Sequence, residues 1–494
     1  MRFQIFKKYC SSLDPLIVYA TALIVALLWP LFFPGVLLLR DMVVLDDMAL
    51  TRASVGAGDL AARNTPQDGF LALLSIVFPA SWIVRILLFG SAALGAWAAA
   101  RLGNSRWTKA AAITVCLWNP FVVERLLQGH WSLVIVAFLL PTLYVLRFQF
   151  YPVLLIVWLC SLTPTGAVIA LVVALVSAPR YWVVHDLIIR RWILFGYGII
   201  ISLTWLIPSI IARPAASATS TIFFARAETY VGWFGSILGL GGIWNASVVP
   251  ASRSYGFALC GVILFSILFI FMPSRLRILA IFGLGEMTAL WLFPQLLSIP
   301  GMALFRDSQK LCLLLIPGLV AAAGQVTIAY KTAQNTQNNQ QKFLAPLVLC
   351  LAILQIPDAP LAVSALKPIE TGSWYELPGT ALVIDTHTLR QYDERVIVNP
   401  WSKATDTVES GQLSIDNKII DPPSQRYQQA IKGDMEGISW IIIDDQPYAT
   451  GNAPVKHDQF YLLGLALVIA WTFNPLVIFI LWWLSRRRTM RIRQ

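Results

Sequence analysis

An acidic segment that directly follows the first long apolar run decides how this chain is interpreted. The run extends from Leu16 to Leu39, and the segment after it reads Arg40-Asp41-Met42-Val43-Val44-Leu45-Asp46-Asp47. Carboxylates at the mouth of a membrane span are costly unless they face water, a cation or a substrate. The pattern therefore predicts a first membrane span whose outer end carries functional acidic groups, with a lipid as one partner.

The composition is that of a membrane protein rather than a soluble one. Of the 494 residues, 57% are hydrophobic and 13% are charged, and the mean hydropathy is +0.68. Many apolar runs approach the roughly 20 residues that cross a bilayer. We therefore predict an α-helical polytopic membrane protein with about twelve transmembrane helices, in the ranges 15–39, 81–100, 110–127, 131–147, 151–163, 164–178, 192–212, 254–272, 277–295, 310–330, 343–357 and 459–484.

The net charge of +11 comes from basic residues whose distribution sets the membrane topology. It does not indicate nucleic acid as a partner. Basic residues cluster at span ends that fall on one side of the membrane, which is the positive-inside pattern. An even number of spans then places both basic termini in the cytoplasm. We expect a multi-pass protein of the cytoplasmic (inner) membrane whose active site lies on the extracytoplasmic face.

Three parts of the chain differ in character. Residues 1–357 are predicted to form the transmembrane domain, and its first outer loop covers residues 40–80. Residues 358–458 are more polar and predict a small extracytoplasmic α/β lobe. Residues 459–494 predict the final transmembrane helix and a basic cytoplasmic tail.

Shorter patterns refine these predictions. The apolar stretch 70–79 is too short to span and predicts a helix lying along the outer membrane surface. In the lobe, residues 381–385 and 439–444 have the composition of strands, and residues 424–432 that of a helix.

The first outer loop offers the best candidates for general-base chemistry. A carboxylate can take the proton from an acceptor hydroxyl, and positive charge or a bound metal can stabilise a phosphate leaving group. Asp41, Asp46 and Asp47 are the candidate catalytic residues. The structural alternative is a solvated loop, in which Asp47 caps a short helix beginning near Met48. The need for a divalent cation such as Mg²⁺ or Mn²⁺ stays open, and no metal ligands are assigned.

Two further segments at the predicted outer face combine charges with an apolar setting. The turn after the third span contains Glu124, Arg125 and His130; its structural interpretation is a tight turn in which Glu124 and Arg125 pair with neighbours. The segment before the tenth span contains Arg306 and Lys310, which are suited to grip a lipid phosphate. Helix anchoring is the alternative there.

Four of these outer-face residues are candidates for substrate binding: Glu124, Arg226, Glu228 and Asp307. Arg226 and Glu228 lie in an outer loop that is rich in aromatic residues. They are expected either to bind sugar or to pair with each other.

The layout resembles the GT-C superfamily of polytopic glycosyltransferases along the whole chain. Three segments of the sequence resemble the membrane half of actinobacterial cell-wall arabinosyltransferases and mannosyltransferases. They are Arg40-Asp41, Asn119-Pro120-Phe121 with Gly129-His130-Trp131, and Phe305-Arg306-Asp307-Ser308-Gln309-Lys310. The resemblance implies a catalytic carboxylate in the first outer loop. Asp41 is the best match, and Asp46 and Asp47 are substitutes.

The predicted function is transfer of a sugar, with inversion, from a polyprenyl-phosphate donor to an envelope glycan or glycolipid acceptor. Arg125, His130, Arg306 and Lys310 would hold the donor phosphate. Two alternatives from other classes are a lipid-linked glycan transporter or flippase, and a non-catalytic scaffold for envelope assembly. A transporter predicts polar residues from one membrane face to the other, whereas the polar groups of this sequence collect on one face.

Overall fold

A computed structural model describes residues 14–184, 187–212, 221–326, 341–370, 372, 374–384, 389–392, 394–415, 418–454 and 457–492. The protein is mainly helical. Its α-helices are α1 (Pro15–Leu28), α2 (Gln67–Ser75), α3 (Ala80–Leu102), α4 (Arg106–Leu117), α5 (Pro120–Gln128), α6 (Trp131–Val145), α7 (Phe150–Cys160), α8 (Pro164–Ser177), α9 (Arg191–Ala212), α10 (Gly232–Leu238), α11 (Ala258–Phe271), α12 (Ser274–Leu292), α13 (Ile316–Gln325), α14 (Gln341–Leu354), α15 (Ala359–Ala362), α16 (Trp401–Ala404), α17 (Gln425–Ile431) and α18 (Gln459–Ile492).

The strands are short and form small sheets. They are β1 (Leu37–Leu39), β2 (Met42–Val44), β3 (Tyr181–Val184), β4 (Leu187–Arg190), β5 (Thr380–Val383), β6 (Leu389–Tyr392), β7 (Arg395–Val398), β8 (Leu413–Ile415), β9 (Lys418–Asp421), β10 (Ile438–Ile443) and β11 (Gln446–Ala449). Four antiparallel hairpins, β1–β2, β3–β4, β6–β7 and β8–β9, accompany a three-stranded sheet in the order β11-β10-β5.

Among the described residues, six helices are long and apolar enough to cross a membrane. They cover Pro15–Phe32, Ala80–Leu102, Arg106–Gln128, Arg191–Ile211, Leu344–Leu366 and Gln459–Arg487. Four more apolar helices, α6, α7, α8 and α11, are shorter than a usual span. These helices support a membrane protein, but six of them meet the length and composition of a span, where the sequence predicted about twelve.

Two of the predicted spans are interrupted. The third breaks between α4 and α5, where Asn119 caps the new helix by accepting a hydrogen bond from the Val122 amide at 3.1 Å, with Pro120 at the first helical position. The predicted span 310–330 is wrong as a single helix. It begins with a 3₁₀ helix at Ser308–Leu314 and continues as the ten-residue α13. Residues 150–160 and 164–177 form two separate helices, close to the predicted ranges 151–163 and 164–178.

The secondary structure predicted for the outer segments is largely confirmed. Helix α2 overlaps the segment 70–79 that was predicted to run along the surface, but it begins three residues earlier and ends at Ser75. Strands β5 and β10 match the predicted runs and pair in parallel. Between them lies α17, which Ser424 caps. No helix begins at Met48, so the capping role considered for Asp47 is wrong.

The segment 380–449 packs directly on the first outer loop. Val36 forms a bridge with Ile369, and the turn between β1 and β2 bridges to β7 at Ile397. Lys403 forms an ion pair with Asp68 at 2.6 Å, and both side chains are largely buried. The first outer loop and the polar segment therefore pack together. The sequence did not predict this contact between them.

Candidate functional site

Asp41 lies at the tip of the hairpin β1–β2. Leu39 pairs with Met42, so that Arg40 and Asp41 form a two-residue turn. Arg40 adopts a positive φ of 50°, the left-handed conformation that such hairpin turns require. The Arg40 amide donates to the Val396 carbonyl at 2.8 Å, and the Val398 amide donates to the Arg40 carbonyl at 3.0 Å. Strand β7 thus fixes the turn that presents Asp41.

Gly129 brings this hairpin against the turn between α5 and α6. Its φ is +90°, and a Cβ atom there would lie 2.3 Å from the Met42 amide nitrogen and 2.6 Å from the Leu39 carbonyl oxygen. Only glycine tolerates both the conformation and the close approach. The Asp41 amide then donates to the Gln128 carbonyl at 3.2 Å. This contact places the Asp41 side chain beside His130.

The Asp41 carboxylate is held through one oxygen, and its side chain is partly exposed. His130 Nε2 lies 3.0 Å from Oδ2, and Gln128 Nε2 donates to the same oxygen at 2.8 Å. Within the described chain no side chain donates to Oδ1, and 39% of the side chain is exposed. Burial opposes ionisation, but the bonds from His130 and Gln128 and the charge of Lys310 outweigh it and lower the pKa of Asp41.

His130 connects Asp41 to a buried arginine. Arg125 Nη1 lies 2.9 Å from His130 Nδ1. Because a guanidinium can only donate, Nδ1 accepts and the imidazole proton resides on Nε2, facing Asp41. Burial lowers the pKa of His130; Arg125 and Lys310 add to this effect, and Asp41 opposes it. A neutral imidazole that donates to an ionised carboxylate is therefore the expected state at neutral pH.

Arg125 is enclosed behind this pair. Its guanidinium binds the Asp307 carboxylate with both terminal nitrogens, at 2.8 Å for Nη2 to Oδ1, and it also donates to Gln309 Oε1. Gln309 Nε2 in turn donates to Glu124 Oε2 at 2.7 Å. The Arg125 side chain is 0% exposed. The predicted direct contact of Arg125 with a phosphate does not fit this burial; Arg125 instead supports His130.

Glu124 and Asp307 share this buried position. Glu124 Oε2 also accepts a hydrogen bond from the Ile243 amide at 3.1 Å, while its other oxygen is buried without a partner among the described residues. The Asp307 side chain is 6% exposed and is occupied by Arg125. Neither carboxylate is open to a substrate in this structure, although both were predicted to bind one.

Arg306 and Lys310 flank Asp307 in the sequence, and the charge of Lys310 acts on Asp41. No hydrogen bond or ion pair to the Lys310 ammonium exists in the described part of the chain. Burial lowers the pKa of Lys310 to about 8; Asp307 opposes this shift, while Arg125 and Arg306 reinforce it. Arg306 stacks over the Phe223 ring, 4.3 Å from its centre, and lies 3.7 Å from Asp421 Oδ2. We call Asp41, His130, Arg306 and Lys310 the recess.

The other two predicted catalytic residues lie apart from the recess. Asp46 binds the Ser81 hydroxyl through Oδ1, and its carbonyl accepts from the Ala80 amide at 2.9 Å, so that it secures the start of α3. Asp47 is exposed and has neither a hydrogen bond nor an ion pair to any residue that the structure describes. Position therefore distinguishes Asp41 from its two neighbours.

Arg226 and Glu228 do not pair with each other. Glu228 is buried and forms a two-point ion pair with Arg253, at 3.0 Å for Nε to Oε1. Arg253 also donates to the Gln355 carbonyl at 3.1 Å. Arg226 donates to the Ala227 carbonyl at 3.2 Å. Glu228 is thus closed to a substrate, and neither residue contacts the recess.

Sequence reasoning missed the uncharged and remote partners of this site. Gln128 and Gln309 stand within the segments singled out, but nothing in an amide's sequence position shows that it will bridge two charged groups. Arg253 and Asp421 carry no local pattern at all, because their partners lie elsewhere in the chain. The acidic pattern pointed to Asp41, Asp46 and Asp47 together and to none of these partners.

A metal centre and a family are both without direct support. In the described ranges, no group of three or more His, Cys, Asp or Glu side chains could hold a metal ion. The chain matches no family model, no curated protein and no solved structure. The apolar helices support a membrane protein, and the recess places a partly exposed carboxylate near Lys310, whose ammonium has no hydrogen bond or ion pair among the described residues.

Proposed function

We propose that this chain is a membrane glycosyltransferase that moves a sugar from a polyprenyl-phosphate donor to an envelope glycan or glycolipid acceptor, with inversion. One observation carries the proposal. Asp41 has a lowered pKa and a partly exposed side chain, and His130 and Gln128 hold its Oδ2 atom close enough to Lys310 for the two charges to interact. A hydroxyl that attacks a phosphate-linked sugar needs such a base beside such a positive charge.

Each group then has one role in the reaction. The acceptor hydroxyl attacks the anomeric carbon of the sugar and gives its proton to Asp41 Oδ1. The bond between that carbon and the phosphate oxygen breaks, and its electron pair stays on the phosphate. Lys310 and Arg306 stabilise the charge that develops there. His130 and Gln128 orient Asp41, and Arg125 fixes the tautomer of His130.

The proposed architecture is GT-C-like with about twelve crossings. The six candidate spans and the four shorter apolar helices would be joined by α12 and α13. The proposed orientation places the recess at the extracytoplasmic face of the cytoplasmic membrane and both termini in the cytoplasm. The segment 358–458 would then guide the acceptor, since it packs on the loop that carries Asp41.

The test compares purified wild type with Asp41→Asn and the matched variant Asp47→Asn in liposomes. Labelled polyprenyl-phosphate arabinose or mannose is supplied with an envelope acceptor extract, and transferred label is counted. We expect Asp41→Asn to lose roughly 10²–10⁴-fold in rate, as expected for a positioned general base. Asp47→Asn should behave as wild type, because Asp47 has no partner among the described residues.

Other outcomes separate the alternatives. Transfer that survives in Asp41→Asn and fails in Asp47→Asn would move the base to Asp47. Wild type that moves the lipid-linked sugar between leaflets without transferring it would favour the transporter. Wild type that neither transfers nor moves it, while retaining its fold, would favour a scaffold.

A further inference from the structure

The hairpin β3–β4 is attached to the helices by one of its two faces. Trp182 is 3% exposed, and its ring meets the Phe150 ring edge-on with the centres 5.4 Å apart. Its Nε1 atom donates to the Arg147 carbonyl at 3.0 Å. Ile189, which pairs with Trp182 across the hairpin, packs on the same core. The hairpin is therefore held firmly against the turn between α6 and α7.

The opposite face of the hairpin is apolar and uncovered. Side chains alternate between the two faces of a strand. On the uncovered face Val183 pairs with Ile188, and these side chains are 75% and 67% exposed. Tyr181 pairs with Arg190 on the same face. Trp192, which follows the hairpin at the start of α9, is also exposed. Leaving such large apolar side chains in water is unfavourable, so this surface is suited to a covering partner.

Positive charge surrounds the hairpin with little to balance it. Arg180, Arg190 and Arg191 flank the two strands. Between positions 125 and 227 the sequence contains a single acidic residue, Asp186 at the hairpin tip, which lies outside the described residues. In the part of the chain that the structure describes, no carboxylate forms an ion pair with these three arginines. The charge of this surface therefore favours an anionic partner.

Arginines from neighbouring turns add to the same charge. Arg275, at the start of α12, reaches the hairpin by donating to the Ala178 carbonyl at 3.2 Å. Arg147 lies 4.4 Å from the centre of the Tyr144 ring. Both side chains contact carbonyls or rings, and neither forms an ion pair with a described carboxylate. Their charges stay available to an external anion.

The hairpin lies at the far end of α6 from the recess. His130 immediately precedes this 15-residue helix, which spans about 22 Å at roughly 1.5 Å per residue. Arg147, just beyond the other end of α6, accepts the hydrogen bond from Trp182. The candidate span in α9 begins at Arg191, directly after the hairpin. The hairpin thus borders a membrane helix at the end opposite the recess.

Backbone and side chains together restrict the depth of this hairpin in a membrane. The sheet has two strands, so each strand has an outer edge without a neighbour. Open sheet edges are not stable in the hydrocarbon region, because their backbone groups lack partners there. The uncovered apolar face is equally unsuited to bulk water. The boundary between headgroups and acyl chains satisfies both requirements.

We propose that β3–β4 lies in the membrane interface opposite the recess and that its arginines bind the headgroups of anionic phospholipids. Val183 and Ile188 would enter the acyl boundary, while Arg180, Arg190 and Arg191 would contact lipid phosphates. The adjoining span in α9 makes a lipid surface the partner nearest to hand. The proposal concerns a surface remote from Asp41, and it does not depend on sugar transfer.

The first part of the test measures lipid preference. Native mass spectrometry of the purified full chain in detergent gives dissociation constants for phosphatidylglycerol and phosphatidylcholine with identical acyl chains. Wild type is compared with the triple variant Arg180→Gln, Arg190→Gln, Arg191→Gln and with the corresponding triple Lys variant. We expect the Gln variant to lose about fivefold in phosphatidylglycerol affinity for each arginine removed. Its phosphatidylcholine affinity should stay unchanged, and the Lys variant should keep most of the preference.

A matched control removes the same number of charges elsewhere. It carries Arg52→Gln, Arg226→Gln and Arg426→Gln. Arg52 and Arg426 pair with carboxylates of the polar segment, and Arg226 donates to the Ala227 carbonyl. This control should bind both lipids as wild type does. Damage to the fold would weaken both lipids alike, and therefore cannot imitate a selective loss of phosphatidylglycerol.

The second part of the test measures depth and uses no arginine variant. A nitroxide label is placed at Ile188→Cys or at Lys432→Cys, in a full chain whose own cysteines are replaced by alanine. The chain is inserted in nanodiscs made from an equal mixture of the two lipids. We expect the label at position 188 to be more accessible to oxygen than to a water-soluble nickel chelate. The label at position 432, in the polar segment, should show the reverse.

Each remaining outcome decides against one part of the proposal. Equal affinities of wild type for the two lipids, or an equal loss in the control and the hairpin variant, would overturn the binding of anionic lipid by these arginines. A label at position 188 that the nickel chelate reaches freely would overturn the interfacial position. Both results together would mean that lipid does not cover this face, and a protein partner would then be the alternative.

Discussion

Two groups of charges in this protein have the same residue types and opposite surroundings. The closed group consists of the pairs Arg125–Asp307 and Arg253–Glu228, whose side chains are at most 6% exposed and are matched by two-point ion pairs. The recess holds Asp41 and Lys310, which are solvent-accessible and incompletely matched. The difference teaches that a charge at the end of a membrane helix does not by itself mark a binding site. A charged side chain marks a binding site when it is accessible to solvent and incompletely paired.

Breaking the closed group should have the largest effect, and it should act on stability. Arg253→Met leaves the buried Glu228 carboxylate without its partner, which typically costs about 3–5 kcal/mol of unfolding free energy. Thermal unfolding of the purified protein in detergent measures this change. We expect a clear decrease of the midpoint relative to wild type.

A double variant separates lost pairing from lost packing. Adding Glu228→Gln to Arg253→Met removes the uncompensated charge, so the double variant should be more stable than Arg253→Met alone. If Arg253→Met unfolded at the wild-type temperature, the closed group would not be structural, and the distinction from the recess would fail.

The same comparison shows what a sequence can and cannot reveal. A carboxylate just after an apolar run is a local pattern, and Asp41 was found from it. The strands β5 and β10 were likewise found from their own composition. The pairing of Arg125 with Asp307 joins residues 182 positions apart, and no local pattern carries that information.

Neighbouring residues with identical chemistry are the harder case. Asp41, Asp46 and Asp47 are alike in sequence, and their roles depend on what the chain folds against. Because Gly129 has no side chain, the hairpin that carries Asp41 can pack beside His130. Asp46 instead accepts a hydrogen bond from the Ser81 hydroxyl. Both partners come from other helices. Their positions follow from tertiary packing, and the sequence pattern alone could not rank the three aspartates.

The affinity of the recess for a phosphate should depend on pH through Lys310. Lys310 has a pKa lowered to about 8, so it is charged below that pH and neutral above it. A phosphate monoester, with a second pKa of about 6, is already mostly dianionic near pH 7 and gains little further charge above pH 8. We therefore expect affinity for geranyl phosphate to fall roughly tenfold as the pH rises through about 8 toward 10, the loss of one charge-assisted contact.

Lys310→Arg is the matched variant for this prediction. An arginine stays charged over the whole range, so its affinity should change little between pH 7 and 10. Dissociation constants for both proteins at several pH values give the answer. Parallel pH profiles for wild type and Lys310→Arg would show that Lys310 does not bind the phosphate.

The smallest effect is expected where the first outer loop meets Glu409. Burial, together with the nearby charge of Asp59, raises the pKa of Glu409 from 4.5 to about 7. The folded protein then binds a proton that the unfolded chain has already lost, so this residue's contribution to stability decreases as the pH rises from 4.5 through 7.

Glu409→Gln keeps an oxygen to accept from the Leu60 amide but cannot ionise. Its unfolding midpoint should therefore exceed that of wild type by a few degrees at pH 8, on the order of 1 kcal/mol, and by less at pH 5. Midpoints measured at both pH values decide the matter. An identical difference at pH 5 and pH 8 would mean that Glu409 does not titrate in this contact, and that the attachment of the first outer loop at Leu60 does not depend on the charge of Glu409.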